Sequence, residues 1–434
     1  MSRKEILIIC LIICCLFSLQ AVAAASDGNS TDQVVLTTES NVSAYSLPNT
    51  DDQLQDGSDA GTFSDLQNDL SLGGDIVLTK NYTYDGDKDT GLVNGISVPN
   101  TVNSITGSGK IVIDGSQQAR IFNIHSGHSI TLTGITFINA NADGNGGSIN
   151  SDGTLIISDC NFTNNTASGH GGAIYLGSGE GDTVTNCNFE GNVAGGNGGA
   201  IDWYAGSSKG QIIGSTFTDN TAKRSGGAVH WSGHYGTIRD SNFTNNVATG
   251  EVTSEIGGIV GGGDGGAIVW VGSHGLINDN CNFTNNYAAN RGGAIFMHGN
   301  STENCTNITV DHSSFNDNYA GLNGGAVDWN SGSHEGNIFY STFTNNIANS
   351  NGGAVFWSGH NGEILHSNFT NNVAKGITND TRGNIGDGGA IIWSGLNGTV
   401  INCSFVGNNA SMRGGAVYLQ NCSHGNCTNT TFSN

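Results

Sequence analysis

The chain has 434 residues, 68 of them Gly and 2 Pro, and a net charge of −22. Its length allows two or three ordinary domains, and 36% hydrophobic residues suffice for a core. With only 14 Lys and Arg and no basic stripe, it lacks the clustered cations that nucleic-acid phosphates require.

The first element is a secretory signal over residues 1–25. Arg3 and Lys4 make a basic start, Ile6 to Leu19 an apolar run, and Ala21-Val22-Ala23 a small-residue cleavage site. That run is short for a membrane span of about 20 residues, and no later segment is apolar enough, so the mature chain is expected to be extracellular with no span. Residues 26–60 read as a polar, disordered linker. Eighteen Asn-x-Ser/Thr sequons follow the signal, among them Asn161, Asn242, Asn282 and Asn368, each a potential glycan acceptor in a secreted chain. Asp85-Gly86-Asp87-Lys88-Asp89 starts like a calcium loop but lacks the distal Glu, so Ca2+ is a minor expectation and no cofactor is assigned.

From residue 137 a phrase recurs: F-x-x-N-x-A, then G-G-A-[IV]. Its Phe positions are 162, 189, 217, 243, 283, 315, 343, 369 and 405, with a degenerate copy at Phe137 and an unfinished one at Phe432. The Gly pair begins nine residues after Phe except after Phe243 and Phe369, where the gap is 22 and 19. Such internal periods signal a solenoid. Short alternating segments such as Thr154-Leu155-Ile156-Ile157-Ser158, punctuated by Gly and Asn, fit strands better than helices. The expected fold is therefore an all-β parallel β-helix of some eleven coils with two or three short strands each, stacked about 4.8 Å apart. Phe would stack coil on coil, Asn would form an amide ladder, and the Gly pair would supply positive φ at a corner.

The widened gaps place insertions at 249–264 and 375–387 on one corner of two coils, where a loop costs only slowly growing entropy. A longer period sits above the first: GGAIDW at Gly198 returns as GGAVDW at Gly324, 126 residues on. A duplicated four-coil block accounts for both insertions, which are either functional loops or spacers.

Two columns follow each Gly pair. The Trp-rich one (Trp203, Trp231, Trp270, Trp329, Trp357, Trp393) shares a strand face with the aliphatic position and reads as core rather than as a sugar platform. The residues between them should face outward. They form the candidate contact column: Tyr175, Asp202, His230, Phe296, Asp328, Phe356 and Tyr418. Asp202 and Asp328 lie four coils apart, roughly 19 Å by coil spacing, too far for a glycosidase pair. No catalytic or metal residue is assigned. Candidate disulfides are Cys160–Cys187 in adjacent coils, and Cys281–Cys305 and Cys403–Cys427, whose spacing was duplicated together; inert buried thiols are the alternative.

The FxxN and GGA[IV] motifs together resemble the repeats of chlamydial polymorphic outer-membrane proteins. With TFSDLQNDL from Thr62, GDIVLTKNYTYD from Gly74 and ITGSGKIVIDG from Ile105, residues 61–434 are similar to adhesin-like surface proteins of methanogenic archaea. The resemblance implies a right-handed, single-stranded, pectin-lyase-like β-helix with a short N-terminal capping helix, cap and first coils over 61–136 and repeats over 137–434. It also implies export to the cell surface and adhesion to glycans or proteins of other cells. Breaking off mid-repeat at Phe432-Ser433-Asn434, the chain leaves open a fragment, a free secreted protein or one held by partners. A polysaccharide lyase or hydrolase on this fold is the alternative function, and a structural stalk the second.

Overall fold

A computed structural model describes residues 60–250, 262–299, 305–376, 386–420 and 430–433. The signal segment, nearly all of the linker, most of both insertions, Cys422 and Cys427 lie outside the described residues. What is described is a parallel β-solenoid with one short α-helix, so the expected fold class holds.

The helix, Phe63–Leu70, forms because Thr62 and Asp65 cap one another reciprocally at its start. Asp89 reinforces this end: its carboxylate accepts from the backbone N–H groups of Phe63 and Ser64, from the Ser64 hydroxyl and from Asp85 N–H. Of the three acids Asp85, Asp87 and Asp89, it is Asp89 that anchors the helix end, while Asp85 pairs with Lys88 at 2.8 Å. Phe63, Leu66 and Leu70 close the first coils with their buried face.

Each coil has four short walls rather than two or three. In the coil from Thr154 they are Thr154–Ser158, Asn161–Thr163, Thr166–Ala167 and Ile174–Leu176. The third wall continues through a 10-stranded parallel sheet and the fourth through 12 strands. Register is strict: Phe162 pairs with Phe137 on one side and Phe189 on the other.

That register builds ladders. Phe rings from 137 to 405 stack with centroids 4.7–5.1 Å apart, a continuous aromatic spine inside the tube. Beside it runs the amide ladder. Asn192 Nδ2 donates to Asn220 Oδ1 and to the Phe162 carbonyl, and Asn192 N–H also donates to Asn220 Oδ1. The same three bonds recur at Asn220, Asn246, Asn286, Asn318 and Asn346. A buried turn needs its polar groups satisfied, and this amide does it for two coils at once.

The Gly pair works at the corner between the third and fourth walls. Gly198 has φ +65°, and a Cβ on Gly199 would overlap the Gly227 carbonyl oxygen of the next coil. The Trp column is core, as alternation predicted: all six indoles are fully buried.

Candidate functional site

The contact column exists in register but is not an open surface. Tyr175, Asp202 and His230 stand side by side on successive strands, as do Phe296, Asp328 and Phe356. Yet Asp202, Phe296 and Asp328 are buried, and Tyr175, His230, Phe356 and Tyr418 only half-exposed. Strand alternation separates these side chains from the aliphatic and Trp positions on either side; it carried no information about the corner beside them. At three corners the residue just before the Gly pair reaches a member of the column: His170, Arg291 and Arg413. Arg291 sits on the Phe296 ring at 4.3 Å and Arg413 on the Tyr418 ring at 4.4 Å.

Both arginines also clamp the returning end of an insertion. Arg291 Nε and Nη2 each reach Asp264 at 2.9 Å, and Arg413 reaches Asp387 at 3.0 and 2.6 Å. Such forks are the strong form of ion pair. Their recurrence shows that the insertions leave equivalent corners and that their returns are held identically.

Asp202 and Asp328 occupy corresponding places in the duplicated block, with opposite surroundings. Asp202 Oδ2 lies 3.2 Å from His170 Nδ1 and Oδ1 lies 3.5 Å from His230 Nδ1. Burial pushes this carboxyl up, but the two imidazoles outweigh it and hold Asp202 below the usual carboxylate range. Burial, helped by the adjacent Asp202 charge, pushes the Tyr175 hydroxyl up to about 12. Asp328 has Phe296 and Phe356 as strand neighbours, and neither of its oxygens has a hydrogen-bond partner among the described residues. Burial drives it well above the usual range, only partly opposed by Arg291.

Other histidines are turn fasteners. His334 Nδ1 accepts from His360 N–H, and His360 Nδ1 from Leu396 N–H, each tying one coil to the next. A nitrogen lone pair used this way is unavailable to a metal. Among the described residues no group of three His, Cys, Asp or Glu is arranged to hold a metal ion.

The five cysteines among the described residues are free thiols. Cys160 and Cys187 touch across adjacent coils; that contact holds Cys160 down and, with burial, pushes Cys187 up. The Cys281 and Cys305 thiols reach different carbonyls, Asn278 at 3.2 Å and Gly272 at 3.4 Å, so the expected pairing is not formed. Cys403 is free, and its expected partner Cys427 lies outside the described residues.

Two surface features were missed in the sequence. The outer face of the second wall, strands such as Asn242–Thr244, Asn282–Thr284, Thr342–Thr344 and Asn368–Thr370, carries Asn, Thr and Ser almost throughout the eight coils from Phe162 to Phe369. Its one charged residue is Glu190. Its side chains bond up the axis, as from Asn282 Nδ2 to Asn242 Oδ1 at 2.8 Å. Inspecting the residues on either side of each Phe would have found it. The second feature is an exposed stack of His312, Tyr340 and His366 at 4.9 and 4.8 Å, all three with left-handed backbone. Stacked rings cover one another's faces, so this ladder offers edges and polar tips, not a platform.

Residues 145–341 match the family model described as right handed beta helix region, and residues 340–356 match the Chlamydia polymorphic membrane protein repeat. The chain therefore has the β-helix fold and that repeat type. No curated protein matches it. Among solved structures, the Agl-KA catalytic domain shows 11% identity over 87% of this chain and 68% of that one, with TM-score 0.49. The tailspike protein of E. coli bacteriophage HK620, in complex with pentasaccharide, shows 11% identity over 82% and 76%, with TM-score 0.36. Neither likeness carries an argument about what this chain does. Among the described residues, no helix is long and apolar enough to cross a membrane.

Proposed function

We propose that the protein is an adhesin-like binding protein, exported and displayed or released at the cell surface. It attaches through its outer faces and corner loops to carbohydrate or protein on other cells or matrix. The observation that carries this reading is the second-wall face, an array of amides and hydroxyls with Glu190 its single charge, on a chain of net charge −22. Neutral donors and acceptors at fixed spacing suit hydroxyl-rich polymers and reject strongly charged ones. The repeat match at residues 340–356 supports surface display. The enzyme alternative needs acids that meet substrate, whereas Asp202 and Asp328 are 2% and 1% exposed beneath the corner layer.

The test is binding to immobilised neutral and charged glycans and to whole cells, with protein free of N-glycans because sequons Asn242 and Asn282 lie on this face. Compared with it are Thr218→Glu/Thr244→Glu/Thr284→Glu, placing charge on the wall, and a variant shortened at 249–264 and 375–387. Binding should fall at least tenfold in the wall variant. Undiminished binding there removes the wall, and undiminished binding in the shortened variant removes the loops. Release of unsaturated sugars from pectin-like polymers would establish a lyase instead.

A further inference from the structure

We infer that Arg291 is the shared arm of a two-position ion pair, engaged with Asp264 in this structure and able to turn to Asp328 in the next coil. Three observations lead there. Asp264 takes both donors of the guanidinium fork. Asp328, adjacent in register to Phe296 on the coil of Arg291, is 1% exposed with both oxygens lacking a hydrogen-bond partner among the described residues. The third is the chain's own first copy of the block.

His170 precedes Gly171 as Arg291 precedes Gly292, and Asp202 lies between Ile201 and Trp203 as Asp328 lies between Val327 and Trp329. In that copy the corner side chain extends forward to the buried acid: His170 Nδ1, which also accepts from Asn197 N–H, lies 3.2 Å from Asp202 Oδ2. The backbone therefore permits the reach, and arginine is the longer side chain. In the second copy the same corner turns back to the acid that ends the insertion, and the forward acid is left alone. Among the described residues nothing else supplies Asp328 with a donor: its strand neighbours are Phe296 and Phe356, and Asn323 Oδ1 at its own corner accepts from Asn351 N–H. The charged groups whose fields it feels are Arg291 and Asp264.

A bidentate guanidinium serves one carboxylate at a time. Freeing Asp264 therefore couples to ionisation of Asp328, and clamping Asp264 couples to its protonation. The position where the chain re-enters the coil after the insertion is thereby linked to the charge of a buried acid, whatever the outer faces bind.

The test is a double-mutant cycle on the full chain: native, Asp264→Asn, Asp328→Asn and both, with denaturation midpoints at neutral pH. In the native background Asp328→Asn should raise the midpoint by removing an unpaired acid. In the Asp264→Asn background it should lower the midpoint, because the new Arg291–Asp328 pair is lost. The same sign in both backgrounds overturns the inference. Should Asp264→Asn fail to fold, Asp264→Ser is read by the carboxyl carbon resonance of Asp328. Its titration must move to lower pH than in the native chain, and an unmoved titration likewise overturns the inference.

Discussion

A carboxyl group at one position of a repeat can be held below the usual carboxylate range in one copy and above it in the next, and Asp202 and Asp328 differ in this way because their neighbours differ. The consequence for stability has opposite signs. Asp328 is held above its ordinary value of 3.8, so the native state keeps a proton that the unfolded chain releases. Its stability cost is absent below the ordinary range and grows as pH rises toward the folded value. Asp328→Asn should therefore stabilise the protein at pH 7 by about 1–3 kcal/mol, with the gain fading near pH 4, read from urea midpoints at the two pH values. Asp202 is held below 3.8, so its contribution is present above that value and is lost as pH falls through the folded one. Asp202→Asn should cost about 1–3 kcal/mol at pH 7 and leave two imidazoles facing an amide. None of this was legible in the sequence. The two aspartates stand in nearly identical words, GGAIDW and GGAVDW, and what separates them arrives from other coils.

Ladders divide into those the sequence announces and those it hides. The Phe spine, the Asn ladder and the buried Trp column were legible because identical residues recur at a fixed offset, and a solenoid turns a fixed offset into vertical contact. Asn220→Ala should be among the costliest polar changes. It removes two donations from Asn220 Nδ2 and strands the Asn192 N–H and Nδ2 that used its oxygen, for a loss of about 3 kcal/mol or more by chemical denaturation. Phe217→Ala should cost about 3–5 kcal/mol through the cavity left between Phe189 and Phe243. The corner was different. Its Gly pair signalled a sharp turn, but the residue before the pair varies from His170 to Arg291 to Asn323. No periodicity says that at Arg291 and Arg413 this variable residue covers the aromatic ring beside it. Hence the column's alignment was predicted correctly and its exposure was not.

At the scale of the whole molecule, each coil touches mainly its neighbours, so stability accumulates along the axis by repetition. The neutral wall inherits that repetition, and its attachment should scarcely weaken with added salt, whereas binding through charged patches would. Retention measured at low and high ionic strength distinguishes the two. The Trp column carries a consequence of its own. Trp203, Trp231 and Trp270 form one stack, Trp329, Trp357 and Trp393 a second, and Met297 interrupts them. Indoles held face to face at 4.1–4.9 Å share their electronic excitation, so each triplet acts as a single chromophore with a split near-ultraviolet dichroism band. The protein thus contains two intrinsic optical gauges, one for each copy of the duplicated block, and replacing Trp231 or Trp357 by Phe would silence one while leaving the other to report.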